Sequence, residues 1–363
     1  MKVYVKGKLE KIGTIWNNYI LESKLCQEQI KLENNQIPPH FGSILGHFMD
    51  TFDIVYDEHK GGSYTSGFIN DIGFLQTIFV HQDLVRELLE IFQVTSNLWD
   101  DENYSINRNI RNELIGHPVS RSTRGNKALI SSTLFSYQSD PGSITYLRYH
   151  KDNQYKFEKM SFKIEEIIER HTDFLNEYFD KILMHLKEIL VLYQRAVGQF
   201  ETELDSLEFN DLLDVASIKY ESIFNLKNLY DKESLKIVYS KRSEHLRYKN
   251  LINRFMIDLK RSLKERKRSI KMLFNPLEAE DLNDPDSLSE FRDITNSARK
   301  SYQPALGKLG ARDGSFDLES GILKSECEGN LDIVNELDHM RVHIKKDIEY
   351  YCAYFLICSI LEY

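Results

Sequence analysis

Apolar residues recur at helical spacing through most of the chain. In the first part this spacing predicts helices over residues 8–34, 40–56, 68–92 and 106–116. Pro38 and Pro39 separate the first two helices. The run Gly116-His117-Pro118 is typical of a helix end, since proline disfavours helical geometry for the residue before it.

The period changes after residue 127. Three segments rich in Ile, Tyr, Phe, Thr and Ser follow, at residues 128–137, 144–150 and 155–162. Turn signals separate them, at Asp140-Pro141-Gly142 and at Asp152-Asn153. The pattern predicts a small antiparallel meander of three strands attached to a helical body.

The strongest periodic segment runs from Ile164 to Phe200, about ten turns without an internal proline. A helix of this length needs a partner helix or a second chain along its apolar side. The remaining chain is predicted to be helical, with a basic segment at 251–272, an acidic loop at 275–290, a glycine-bearing segment without periodicity at 301–315 and a helix over 331–362.

Together these segments predict a mainly α fold in two parts. Residues 1–203 form a helical bundle with a β-meander insertion at about 128–162, and residues 204–363 form a second helical domain. Seven prolines and 17 glycines in 363 residues favour long helices over a turn-rich β-protein.

Charge and cysteine content narrow the class of protein. A formal net charge of −9 does not favour binding of nucleic acid by the molecule as a whole, so any contact with RNA depends on local basic patches. The four cysteines form no CxxC pair, which fits neither a zinc site nor a dense disulfide framework. The Met1 region lacks the apolar core of a signal peptide, and the apolar segment 350–361 is too short to span a bilayer. We expect a cytoplasmic protein without a membrane partner.

One stretch carries recognisable chemistry, from Ile110 to Pro118. Arg111 is followed by the polar Asn112, and five residues separate Arg111 from His117. The stretch resembles the signature of the HEPN superfamily, in which an arginine and a polar neighbour precede a histidine by four to six residues within an all-helical bundle. The resemblance covers roughly residues 1–200, and residues 104–121 carry most of its specificity. The β-meander departs from the minimal HEPN domain and is expected to be an insertion.

These residue types suit RNA cleavage without a metal ion. Histidine titrates near neutrality and can act as general acid or base on the 2′-hydroxyl or the departing 5′-oxygen. A guanidinium offers a planar fork of donors to the phosphoryl oxygens as charge accumulates on them. The resemblance implies that Arg111 and His117 are catalytic, that Asn112 orients the histidine or touches the substrate, and that a homodimer places two Arg–His pairs in one cleft. It also implies cyclic-phosphate products and neither cofactor nor metal.

Two groups of basic residues are candidates for contacting RNA phosphates. Arg121 and Arg124 follow the motif directly. A second group, Lys264, Arg266, Lys267 and Arg268, belongs to a run of seven positive charges in twelve residues. The second run equally fits the solvated side of an amphipathic helix.

Other clusters fit structural roles better. His47, Asp50, Asp53 and Asp57 have the spacing of metal ligands but also that of a polar helix face. His171 lies in an apolar stripe and is expected to be a core histidine.

Two functions from different classes remain open. The first is a ribonuclease effector of toxin or antiviral-defence type, whose residues 204–363 respond to an antitoxin, sensor or trigger protein. The second is a non-catalytic RNA- or protein-binding scaffold of the same fold, acting through the basic run. Nucleotidyl transfer would require a partner protein, since the chain shows no transferase motif.

Overall fold

The computed structural model describes residues 2–30, 38–57, 64–121, 129–134, 142–224, 230–274, 301–327 and 329–361. Over these residues the chain is mainly helical with one small antiparallel sheet, which confirms the predicted fold class. The α-helices are α1 Lys2–Ile15, α2 Lys24–Ile30, α3 Phe41–Tyr56, α4 Tyr64–Ile91, α5 Glu102–Arg111, α6 Ile164–Leu204, α7 Phe209–Phe224, α8 Lys232–Ser240, α9 Leu246–Phe274, α10 Gln303–Ala311, α11 Phe316–Glu326, α12 Leu331–Val342 and α13 Asp347–Ile360. The strands are β1 Val119–Arg121, β2 Leu129–Leu134, β3 Ser143–Tyr149 and β4 Phe157–Lys163.

The chain divides into two compact units, Met1–Val191 and Leu192–Tyr363. The division falls within α6, before the boundary near residue 203 that the sequence pattern suggested. Helix α6 keeps the predicted apolar stripe, with Phe174, Ile182 and Val197 among its fully buried side chains.

The predicted helix over residues 8–34 is interrupted. Helix α1 widens into a π turn at Trp16–Ile20, where the N–H of Leu21 donates to the carbonyl of Trp16 at 2.9 Å. The carbonyls of Ile20 and Leu21 lie at the end of this helical segment, where no further helical N–H groups follow. The side chain of Gln27 donates to both of them. A single continuous helix was therefore the wrong prediction for residues 8–30, and residues 31–34 lie outside the described part of the chain.

Aromatic residues form much of the core of the first unit. Trp16 stacks on Phe41 with ring centroids 4.1 Å apart, and both rings meet Phe92 edge to face. Such pairs contribute beyond the area that they bury. They fix α1, α3 and the end of α4 against one another.

Two buried histidines form a hydrogen-bonded chain in the same core. The hydroxyl of Thr51 donates to the carbonyl of His47 at 2.6 Å, so its oxygen accepts from Nε2 of His81 at 2.8 Å. Nδ1 of His81 then accepts from Nε2 of His171 at 3.1 Å. Each ring thus carries one proton and is neutral. Burial lowers the pKa of His81 well below its ordinary value and that of His171 to about 3.

The sheet has the order β1-β2-β3-β4, with antiparallel neighbours throughout. Three of these strands were predicted; β1, directly after the motif, was not. Ile144 and Phe162 face each other across β3 and β4 and pack on the core that contains Ile110 and Ile167. One side of the sheet therefore rests on the helices of the first unit.

The second unit differs from the sequence prediction in two places. The glycine-bearing segment at 301–315 contains α10, and the predicted helix over 331–362 is two helices, α12 and α13, separated by a turn at residues 343–346. Gly310 explains why α10 lacked a clear pattern: the ring of Tyr354 lies against its Cα, where a Cβ would stand. Close packing, rather than a loop, requires this glycine.

A buried ion pair links α9 to α12 in the second unit. Arg247 donates through Nε and Nη2 to the two carboxylate oxygens of Glu336, at 2.8 and 2.9 Å. Nη1 of Arg247 contacts the ring of His339, whose Nε2 lies 3.1 Å from Glu349. Hydrogen bonds from Lys241, Tyr248 and His339 hold the pKa of Glu349 at about 2 despite its burial. The network joins α9, α12 and α13, together with Lys241 directly after α8.

Within the described ranges, no helix is both long and apolar enough to cross a lipid bilayer.

Candidate functional site

The Arg111–His117 motif lies where α5 ends. Asp101 caps the start of α5 by accepting from the N–H of Asn103 at 2.8 Å. The helix ends in a π turn at Asn112–Gly116, closed by the N–H of His117 donating to the carbonyl of Asn112 at 2.7 Å. His117 leaves the helix with φ −141° and ψ 60°. The predicted helix end at Gly116 is confirmed, and single π turns of this kind are frequent at functional sites.

The guanidinium of Arg111 is held in one position. Its Nε and Nη2 donate to Oε1 of Gln76 at 3.0 and 2.9 Å, and its Nη1 donates to Oδ1 of Asn112 at 3.1 Å. Its carbon lies 3.9 Å from the centre of the Phe79 ring. These bonds use three of the five guanidinium N–H groups, so two remain for an anionic ligand. Burial and, to a smaller extent, the positive charge of Arg108 lower the pKa of Arg111. Arg111 still stays a cation at physiological pH.

Because Gly116 has no side chain, the Arg111 guanidinium can lie against the backbone directly before His117. A Cβ on Gly116 would lie 2.5 Å from Nη1 of Arg111 and 3.4 Å from Oδ1 of Asn112. The arginine fork therefore rests against the backbone of the residue directly before His117. The side chain of His117 is exposed to solvent, so a substrate can reach it. The π turn thus lies between a hydrogen-bonded guanidinium on one side and the exposed His117 on the other side of Gly116 in the chain.

Glu113 connects the π turn to the sheet. Its Oε2 accepts from the hydroxyl of Tyr146 at 2.7 Å, and its Oε1 lies 3.6 Å from Arg148. Burial and the Glu113 carboxylate both raise the pKa of Tyr146, so this phenol stays protonated. Glu113 therefore links the π turn to β3.

No family model, curated protein or solved structure matches this chain. The function must accordingly be argued from the chemistry of the motif itself.

Four residues that support Arg111 were not recognised in the sequence. Arg108 forms an ion pair with Asp83 at 3.0 Å, and its guanidinium lies 4.0 Å from the centre of the Phe79 ring that also contacts Arg111. Arg108 precedes Arg111 by three residues on α5, a spacing that places both on one helix face. Gln76, Phe79 and Asp83 come from α4, and no local pattern marks them.

The predicted RNA-binding residues belong to both units of the chain. Arg121 is exposed at the end of β1, and Arg124 lies outside the described residues. In α9, Lys267 donates to Glu201 at 2.7 Å and the guanidinium of Arg266 lies 5.1 Å from the centre of the Phe224 ring. Arg268 is half-buried, and of the four candidates in α9 only Lys264 is exposed. Part of the positive charge of α9 is thus balanced within its own unit.

The polar face of α3 is occupied by an ion pair. Lys2 lies 2.6 Å from Asp53 and 2.9 Å from Asp57. Across the part of the chain that the structure describes, no three His, Cys, Asp or Glu side chains lie close enough together to hold a metal ion.

Proposed function

We propose that this chain is a metal-independent endoribonuclease of HEPN type, with Arg111 and His117 in its active site. The observation that supports the proposal is the position of the Arg111 guanidinium against Gly116, the residue directly before the exposed His117. A cation held by Gln76 and Asn112 needs little reorganisation when charge develops on a phosphate.

The reaction follows from the two groups. The 2′-oxygen of a ribose attacks the adjacent phosphorus and loses its proton, while the 5′-oxygen of the next nucleotide leaves and gains one. His117 performs one of these proton transfers, and the two remaining donors of Arg111 bind the non-bridging phosphoryl oxygens. The products are a 2′,3′-cyclic phosphate and a 5′-hydroxyl, so no water and no oxidant are consumed.

A second copy of the chain supplies the other proton-transfer group in this proposal. One histidine cannot both accept the 2′-proton and donate to the 5′-oxygen in a single step. Two copies that face each other across the motif provide two histidines in one cleft. We therefore propose a homodimer as the active form.

We further propose that this nuclease is a defence or toxin effector under the control of a partner. Unrestrained RNA cleavage harms the cell that makes it, so residues 204–363 are assigned to binding an antitoxin, sensor or trigger protein. The buried network around Arg247 and Glu336 fixes α9 against α12, so these residues present a defined helical fold to such a partner.

The scaffold alternative has less support. It relies on α9 as the main functional surface, yet Lys267 is paired with Glu201 and Lys260 with Asp205. Surface ion pairs of this kind reduce the charge that a phosphate backbone would meet.

The proposal is tested by incubating the purified chain with total cellular RNA in excess EDTA and mapping the fragment ends. We expect cutting that co-elutes with the protein on gel filtration and leaves cyclic-phosphate ends. Cutting that requires added magnesium, or that leaves 5′-phosphate ends, would contradict the proposed chemistry. Absence of cutting at every protein concentration would favour the scaffold.

Substituting Gly116 by alanine is expected to slow cleavage by about 10- to 100-fold. The new methyl group would displace the Arg111 guanidinium from its position against Gly116. The turn is only partly buried, so we expect a small loss of stability. Initial rates and thermal unfolding should be measured together. Gly73→Ala on α4, where a Cβ meets nothing within 4 Å, is the matched control. Full activity in a folded Gly116→Ala variant would show that the seating of Arg111 does not matter.

A further inference from the structure

The outer face of the four-stranded sheet begins beside the proposed active site. Successive strand residues alternate between the two faces of a sheet, and the even-numbered Ile144 and Phe162 pack on the core. The odd-numbered residues therefore lie on the opposite, outer face, which is buried at Thr145 and open at Val119 and Phe157. The strand register places four of them in one row across the whole sheet: Val119, Ser131, Tyr149 and Phe157. His117 precedes the first of these by two residues.

Two of the four residues in this row are aromatic, and a third aromatic residue precedes β4. Phe157 is 66% exposed, and its ring centroid lies 5.5 Å from that of Tyr149. Tyr155, which is 43% exposed, has its ring centroid 5.4 Å from that of Tyr149. Tyr155 also has a φ of 57°, a backbone conformation that is rare for a bulky residue. Three rings thus form a contiguous aromatic surface that water reaches.

The outer face carries positive charge, whereas the chain as a whole has a negative net charge. The odd-numbered positions of β1, β2, β3 and β4 include no aspartate or glutamate, although the chain has a formal net charge of −9. Arg121 and Lys159 are exposed on this face, and Lys163 lies 3.7 Å from Glu166 at its margin. A polyanion bound to this face would contact lysine and arginine side chains, and no acidic side chain at the odd-numbered positions of the four strands would repel it.

We propose that this outer face binds single-stranded RNA. Unpaired bases stack on Tyr149, Phe157 and Tyr155, and Arg121 and Lys159 contact the phosphates. Bases within a duplex are stacked on one another and cannot offer a free face to these rings, so the ligand is unpaired RNA. A strand bound along the row reaches His117 from β1. The inference rests on the proposed function in taking RNA as the ligand, and it adds the class of RNA that the site accepts.

The test measures binding without cleavage. Fluorescence anisotropy is recorded for a labelled 12-nucleotide RNA of mixed sequence and for the same RNA annealed to its complement, in a His117→Ala background and in EDTA. Phe157→Ala is expected to weaken binding of the single strand by about 10-fold, within the range of about 5- to 150-fold for losing one stacked base, and to leave duplex binding unchanged. Phe157→Tyr should keep wild-type affinity. Tyr4→Ala, which removes a ring that is 65% exposed on α1, is the matched control.

Three results would overturn the inference: equal affinity for single strand and duplex, no loss on Phe157→Ala, or no binding of the single strand at all. A change from dimer to monomer on gel filtration of Phe157→Ala, with RNA affinity kept, would instead assign the face to self-association. The two proposals fail separately. Single-strand binding without any cleavage by the wild type would contradict the proposed nuclease activity and leave this inference standing. Cleavage that persists in Phe157→Ala, with unchanged affinity for RNA, would contradict this inference and leave the proposed nuclease activity standing.

Discussion

Cleavage of RNA by the His117→Ala variant is expected to fall by about 10²- to 10⁴-fold, the usual contribution of a general acid or base. His117 has an exposed side chain and follows the π turn, so its removal takes away a proton-transfer group without opening a cavity in the core. The measurement is the initial rate of cleavage in EDTA with equal concentrations of wild type and variant. Thermal unfolding of both proteins should coincide within a few degrees.

His40→Ala is the matched control for this substitution. His40 is also an exposed histidine of the first unit, 2.9 Å from Glu87, and it lies outside the motif. We expect it to retain the wild-type rate. A His117→Ala protein that cuts as fast as His40→Ala would move the active site away from the motif.

Acidification is expected to destabilise the first unit by about 3–4 kcal/mol between pH 7 and pH 5. His81 and His171 are fully buried and neutral, and burial lowers the pKa of both below the unfolded value of 6.5. As the pH falls through 6.5, the unfolded chain binds two protons that the folded chain cannot accept. Stability is therefore complete above about pH 7 and is lost as the pH falls towards the folded pKa, which for His171 is about 3.

Urea unfolding at pH 7.5, 6.5, 5.5 and 5.0 measures this loss. A His81→Gln, His171→Gln double variant keeps polar groups in the same places but has no imidazole to titrate. Its free energy of unfolding should be lower at pH 7.5 and should depend less on pH than that of the wild type. The same pH slope in both proteins would show that carboxylates, rather than this pair, govern acid stability.

Periodicity predicted the long elements well because burial sets their pattern. The stripe from Ile164 to Phe200 became the buried side of α6, and three strands of the sheet followed the change of period after residue 127. Strand β1 escaped notice because three residues are too few to show alternation. Helix α10 escaped because Gly310 is required by contact with Tyr354, which lies 44 residues further along the chain.

The candidate site was predictable only in part. The sequence suggested Arg111, Asn112 and His117 as site residues, which stays a prediction, and it correctly indicated a helix end at Gly116. It gave no sign of the π turn, because a hydrogen bond from His117 to Asn112 leaves no mark in the residue pattern. Nor could it show Gln76, whose bond to Arg111 spans 35 positions and depends on how α4 packs against α5.

The π turn also bears on how such a protein would be silenced by mutation. A π turn contains one residue more than the α-helical turn that it replaces. An in-frame deletion of one codon among residues 112–116 would allow α5 to continue as a regular helix to its end. The N–H of His117 would then bond to the carbonyl of Asn112 in a regular α-helical turn, so the backbone that follows would keep nearly its present direction. Four residues would separate Arg111 from His117, which is still within the spacing of the HEPN signature. Cells selected to survive expression of an active chain should therefore yield substitutions of Arg111 and His117 more often than three-nucleotide deletions in this short stretch.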